Sequence, residues 1–178
     1  MADRCCVKRA DARQIRGNSP ESDDNQKTIK PILRWAGSKQ RSLPNIAPHL
    51  PTAWGRYVEL FAGSACLFFH LDPKRAILVD NNVDLMRFYE VAKKDPIKVF
   101  QMFERLPRDP DTYYSVRQAM ISERNALKRA AYFLYLNRNC FNGIYRTNNR
   151  GEFNVPFFLV AESQSTNHKM TLLPPRIL

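Results

Sequence analysis

The sequence predicts an α/β fold built on a parallel sheet, and three observations carry that prediction. A buried-strand pattern, "RYVEL", runs through a glycine turn, "AGS", into an apolar helix pattern, "ACLFFHL". A second apolar strand pattern, "AILVD" (76–80), comes next and is followed by the helix-spaced stretch "NNVDLMRFYEVAKKD". Strand, turn, helix, strand, helix is the order of a parallel sheet, whose neighbouring strands need a crossover connection. The third observation is size: 178 residues, 44% of them hydrophobic, suit one domain with a buried core.

Taken in chain order, residues 1–28 mix charges of both signs with Asn, Ser, Gln and Pro. They carry too little apolar surface to offset ordering entropy, so a disordered tail is expected. The stretch is charged from its third residue and has no apolar centre, unlike a secretory leader, and no apolar run approaches the roughly 20 residues of a membrane span. Cys5, Cys6, Cys66 and Cys140 fit neither a zinc site nor a disulfide framework. We expect free thiols in a reducing cytoplasm, with no metal and no membrane. At "TIKPILRWAGSK" the composition turns apolar, and Gly37-Ser38 opens a short helix through "KQRSLPNIAPHL" with Pro44 in or near its first turn. Arg56 to Leu60 is expected as a buried strand, Ala62-Gly63-Ser64 as a tight turn, and Ala65 to Leu71 as a helix. Residues 76–80 form the second buried strand, and Val83, Met86, Phe88 and Val91 stand near helical spacing. From Pro96 to about Asn139 the pattern is helical. Asp95 resembles an N-cap with Pro at the first helical position, Asp111-Thr112 starts another helix, and "RNALKRAAYFLYLNRN" makes a third. "GIYRT" and "EFNVPF" then read as two strands of a hairpin closed by Asn148-Asn149-Arg150-Gly151, since Asn and Gly tolerate positive φ. The last twenty residues lose periodicity.

A net charge of +11 favours nucleic acid or an anionic surface as partner. Interleaved aromatics and arginines late in the chain suit nucleic acid better than a membrane, which calls for a basic helix with a continuous apolar face. Open parallel sheets bind ligands at the carboxyl ends of their strands. "ELFAG" places Glu59, Phe61 and Gly63 there, and "LVD" places Asp80 at the end of the neighbouring strand, where an acid can hold two ribose hydroxyls. Such turns also serve merely to join strand to helix, so a nucleoside cofactor and a plain connection both stay open. In "RWAGSK", Trp35 offers a flat face, Gly37 a tight backbone and Lys39 a cation; a core tryptophan before an ordinary helix entry is the plainer reading. In the hairpin, Arg138, Arg146 and Arg150 can meet phosphate or guanine, while Asn142, Asn148 and Asn154 can pair with base edges. Phe141 or Tyr145 can stack on a base or wedge beside it.

In order, "PILRWAGSK", "YVELFAGSACLFF", "LVDNN" and "NRNCFNGIYRTNNRGEFNVPF" resemble the Dam-type DNA adenine N6-methyltransferases, over roughly Lys30 to Phe157. Ser38 stands where that family's first block has glycine, and Leu60, Ser64 and Ala65 depart from its Pro-Phe-x-Gly-Gly-Gly. The resemblance implies a Rossmann-like S-adenosylmethionine-dependent methyltransferase sheet, incomplete here, with an inserted helical and β-hairpin DNA-recognition region. It divides the chain into the N-terminal part of the methyltransferase domain (29–94), a target-recognition region (95–157) and a divergent tail (158–178). The implied cofactor set is Trp35, Gly37, Lys39, Glu59, Phe61, Gly63 and Asp80, with Phe61 and Gly63 as floor and Asp80 on the ribose. The implied set for double-stranded DNA is Arg138, Phe141, Asn142, Arg146, Asn148 and Asn154, and a restriction endonuclease is the partner system such enzymes suggest. The extruded adenine would lie beside Phe141 and Asn142. The family's Asp-Pro-Pro-Tyr motif does not occur in the sequence, so no catalytic residue is assigned. We therefore expect a chain altered by frameshift, splicing or truncation, inactive in transfer and marginal or aggregation-prone in fold. The alternative is a non-catalytic DNA-binding module, which would not need Trp35, Lys39 and Asp80.

Overall fold

The computed structural model describes residues 29–158. The tails expected at 1–28 and 158–178 lie outside the described residues, Phe158 excepted. The described chain is mixed α/β, with six α-helices and a two-stranded parallel sheet. Strand β1 (Tyr57–Glu59) pairs with β2 (Ala76–Leu78) in the register Tyr57↔Ala76, Val58↔Ile77, Glu59↔Leu78. The pairing continues beyond the strands, since Val79 donates to the Glu59 carbonyl and Ala62 to the Val79 carbonyl.

The helix expected after Ser38 is three short pieces, a 3-10 turn over Lys39–Ser42, α1 (Leu43–Ile46) and a 3-10 turn over Ala47–His49. Two prolines, Pro44 and Pro48, interrupt the donor series that one continuous helix would need. Helix α2 (Cys66–Leu71) crosses from β1 to β2 and buries Phe68 and Phe69. Helix α3 (Val83–Lys94) is capped by the Asn82 side chain, which accepts from the Leu85 amide. Its buried face is Leu85, Phe88, Tyr89 and Ala92, while Val83 is 59% exposed. The spacing expected from Val83, Met86, Phe88 and Val91 is thus turned by about one position, because Tyr89 also belongs to the apolar face.

Helix α4 (Pro96–Glu104) starts at the expected Asp95 cap. Helix α5 (Pro110–Ser122) starts earlier than Asp111-Thr112, because the Asp109 side chain accepts from the Thr112 amide and hydroxyl. Pro110 then takes the first helical position, which needs no donor. Helix α6 (Ala126–Asn139) is the centre of the assembly, packed by α3, α4 and α5. Its sequence is apolar on several sides, as a helix enclosed by neighbours must be. Phe133 of α6 stacks on Phe88 of α3 at 5.5 Å, and Tyr135 meets Tyr113 of α5 at 6.3 Å.

The strand and hairpin expectations need correction. The second strand is Ala76–Leu78, two residues shorter than 76–80, and Val79 beyond it is 42% exposed. The strand at Arg56 to Leu60 is shorter and is not buried: Val58 is 50% and Leu60 60% exposed. Tyr57 and Glu59 face the packed side with Phe68, and among the described residues nothing covers the other face. The segments "GIYRT" and "EFNVPF" form no two strands; one isolated antiparallel bridge, Thr147↔Phe153, joins them, and a second, Cys140↔Phe157, joins the end of α6 to the latter. The Asn148 side chain accepts from the Arg150 and Glu152 amides, competing with a regular ladder. Pro156 has no amide to donate, and a 3-10 turn at Phe141–Gly143 interrupts the other side.

Candidate cofactor crevice and nucleic-acid interface

The turn after β1 is shaped by residues that few side chains could replace. Gly63 has φ +50°, and a Cβ there would lie 2.9 Å from Cδ1 of the Trp35 indole. Glycine is therefore required twice over, by backbone conformation and by the closeness of Trp35. Asp80 organises the same place from β2. Its Oδ2 accepts from the Gly63 amide and its Oδ1 from the Asn82 amide, both at 3.0 Å. Each carboxylate oxygen keeps a further lone pair. Tyr89 donates from α3 to the Gly63 carbonyl at 2.8 Å, closing the turn from beneath.

Trp35 lies along this turn, half-buried, held by its neighbours on both sides. Ser64 Oγ donates to Ser38 Oγ at 2.9 Å. These two serines are both departures from glycine in the family pattern, and they bond to each other. On the other side, Asn137 of α6 clasps the residue before Trp35: its Oδ1 accepts from the Arg34 amide at 2.9 Å, and its Nδ2 donates to the Arg34 carbonyl at 2.7 Å. Gly143 (φ +65°) fits against the same residue, where a Cβ would come within 2.2 Å of Arg34 Cβ. The Trp35 ring stacks on Tyr145 with centroids 5.7 Å apart and planes 21° apart.

Of the other cofactor candidates, Phe61 projects from the strand end, 88% exposed. Gly37 (φ +76°) and Lys39 are exposed where the Trp35 segment turns into its 3-10 piece. Glu59 accepts from the Tyr57 hydroxyl at 2.8 Å. Burial pushes its carboxyl above the usual range, against the lowering effect of that hydrogen bond.

The DNA candidates divide into two groups. Arg146, Thr147, Asn148, Asn149, Arg150 and Asn154 line an open recess of about 510 Å³. Within it, Asn154 Oδ1 accepts from Arg146 Nε at 2.9 Å and so orients the guanidinium, while Asn148 Nδ2 donates to Glu152 at 2.8 Å. Asn148 is thus occupied in shaping its own turn. Phe141 and Asn142 are exposed at the end of α6, Asn142 with φ +53° and Phe141 edge-on to Phe158. Arg138 differs: its Nη2 donates to the Ile32 carbonyl, and burial, with Arg34 and Arg108 nearby, lowers its guanidinium to about 10. Tyr145 turns inward, away from the recess.

Sequence reasoning missed Asn137, the Ser38–Ser64 pair and the Tyr89 hydroxyl. Asn137 had a signal: a polar residue inside the enclosed run "YFLYLNRN" must find partners, and these are the backbone it clasps. Cys66 and Cys140 are free and buried, and burial pushes the Cys140 thiol up to about 11. Among the described residues no group of His, Cys, Asp and Glu is placed to hold a metal, and no helix is long and apolar enough to cross a membrane.

Comparison with known proteins shows the family. Residues 35–175 match the family model of D12 class N6 adenine-specific DNA methyltransferases, a match that runs past Phe157. A type II methyltransferase of Methanocaldococcus jannaschii is 35% identical over 150 residues, 72% of this chain and 52% of its own length. A type II methyltransferase of Lactococcus lactis subsp. cremoris is 32% identical over 139 residues, 75% of this chain and 49% of its own. The DNA adenine methylase of Salmonella typhi is 38% identical over 135 residues, 74% of this chain and 48% of its own. The chain spans about half the length of the curated relatives it matches. The family model and the relatives agree: the chain belongs to the D12 class of N6 adenine-specific DNA methyltransferases.

Proposed function

We propose that these residues form the cofactor- and target-binding half of an S-adenosylmethionine-dependent enzyme that methylates N6 of adenine in a short duplex DNA site. The observation that supports this most is adjacency. The strand-end turn of Gly63 and Asp80 packs against Trp35, Trp35 stacks on Tyr145, and Tyr145 directly precedes Arg146 of the basic recess. On this reading residues 29–94 carry the cofactor side and 95–157 the target side, and β1 and β2 belong to a larger Rossmann-like sheet.

The residues present suit the cofactor. Asp80 has lone pairs to spare at a strand's carboxyl end, where ribose hydroxyls donate, and its orientation is fixed by two amides. Gly63 lets Trp35 lie directly against the turn, Trp35 and Phe61 offer flat faces, and Gly37, Lys39 and Glu59 complete the rim. S-adenosylmethionine supplies a methyl group on a sulfonium; the residues named here bind and orient it. On DNA, Arg146 and Arg150 meet phosphate or guanine, with Asn154 holding Arg146 in register. Asn148 shapes the turn and Phe141 and Asn142 stand beside an extruded adenine. Arg138 supports the surface by holding Ile32, near the Trp35 segment.

The Asp-Pro-Pro-Tyr motif is absent from the 178 residues, so we infer that they bind both ligands without transferring methyl by themselves. A restriction endonuclease of matching specificity is the partner that the two type II relatives add to this reading. The test is labelled-methyl transfer from S-adenosylmethionine to unmethylated duplex, run beside equilibrium binding of each ligand. Binding of both without incorporation is expected, with duplex affinity falling steeply with salt. Incorporation at adenine, lost in Asp80→Ala, would overturn the inactivity. Duplex binding with no cofactor binding would replace the proposal by a non-catalytic DNA-binding module.

A further inference from the structure

We infer that Tyr145 is a positioning residue that couples the cofactor crevice to the DNA-reading recess, so that each ligand binds more tightly when the other is in place. The inference rests on the function proposed above. Tyr145 directly precedes Arg146, yet its ring faces the other way. It stacks on Trp35 at 5.7 Å and packs at 5.8 Å on Phe133 and 5.7 Å on Phe153. Its hydroxyl donates to Asp84 Oδ2 at 3.0 Å. The other oxygen of Asp84 accepts from Arg129 Nε and Nη2 at 3.2 and 2.9 Å, and Arg129 Nη1 donates to the Met120 carbonyl at 2.6 Å. Tyr145 is therefore tied at both ends, by its ring to the crevice wall and by its hydroxyl to the junction of α3, α5 and α6. Burial, reinforced by the Asp84 carboxylate, keeps that hydroxyl protonated and so a donor.

The path from one site to the other is short. The Gly63 backbone packs against Trp35, Trp35 stacks on Tyr145, and Tyr145 is joined by a peptide bond to Arg146. A ligand that settles against Trp35 sets the position of the indole, and the stack on Tyr145 passes that position to the backbone that carries Arg146. A placement shared by two sites is set once, by whichever ligand arrives first. Linkage then makes the effect equal in both directions.

The full 178-residue chain tests this, because it contains only two tryptophans. Trp54→Phe removes an exposed indole that takes part in none of these contacts, leaving Trp35 fluorescence as the reporter. S-adenosylmethionine is titrated with and without a short unmethylated duplex. We expect about five-fold or more tighter cofactor binding with duplex present, the scale of ordinary coupling between sites. Tyr145→Leu should bring that ratio close to one while duplex binding alone is retained. Tyr145→Phe, which keeps the ring and removes only the hydroxyl, should lower the ratio partway and covers the case in which the leucine variant does not fold. An unchanged ratio in both variants, or a ratio of one in the parent with both ligands bound, overturns the coupling and leaves the proposed function standing. No cofactor or duplex binding by the parent overturns the proposed function and the coupling with it.

Discussion

The helical block and the strand ends treat the same kind of side chain in opposite ways. Phe88 and Phe133 stack on each other inside the block, 1% and 3% exposed, whereas Phe61 stands 88% exposed at the end of β1 beside exposed Leu60. In sequence both regions carry apolar runs, so hydrophobicity alone does not separate them. Geometry does. Helices α3, α4 and α5 close around α6, while two strands leave one face and their edges open among the described residues. Packing is therefore tightest in the helices, and the strand ends hold the open surface where the cofactor is proposed to bind.

The largest expected effect breaks that comparison if it fails. Phe88→Ala should cost about 3–5 kcal/mol, the range for emptying a packed aromatic site, while Phe61→Ser should stay within about 0.5 kcal/mol, as for surface changes. Chemical denaturation of both variants checks it, and sedimentation should show less self-association for Phe61→Ser. Equal losses would mean that Phe61 is covered in solution. Next is Gly143→Ala, which sets a methyl group against Arg34 on a left-handed backbone. We expect about 3 kcal/mol lost, the upper range for overpacking, with the Trp35 emission shifted because Arg34 moves.

A third substitution should act in the opposite direction. Ala65, at φ +51°, occupies a backbone region that disfavours side chains, at a position where the family pattern has glycine. Ala65→Gly should stabilise the chain by about 1 kcal/mol, read as a higher Tm, by removing left-handed strain. The smallest effect is one of pH. Burial raises the Glu59 carboxyl, so the folded chain holds that proton longer than the unfolded chain does. The associated stability is present below the unfolded carboxylate range and is lost as pH rises through the folded value. Glu59→Gln should remove that fall from a Tm-against-pH series; parallel curves would show that Glu59 titrates normally.

Much of this was legible in the residues because local chemistry determined it. The Asp95 cap before Pro96, the Ala62-Gly63-Ser64 turn and the first three residues of "AILVD" as a strand each follow from a few adjacent side chains. The burial of β1 was not legible, since it depends on what packs against Val58 and not on Val58 itself. The hairpin was read from turn residues, but Asn148 uses its side chain on the turn amides, and the flanks bridge only twice. In the candidate site, the motif residues were singled out by pattern, whereas the residues that pack and bond to them were hidden by distance in sequence. Tyr89 and Gly63 lie 26 residues apart, as do Ser64 and Ser38.

The Asn137 clasp spans 103 residues of sequence, and that separation sets an order of events. The segment around Trp35 leaves the ribosome early, but its anchor is made only after α6 has been synthesised and docked. Closing so long a loop is slow relative to forming the local turns of α3 to α6. We therefore expect the helical block to assemble first and the Trp35 segment to dock later on a finished surface. In pulse-labelled hydrogen exchange during refolding, the Arg34 amide should gain protection after the amides of α6.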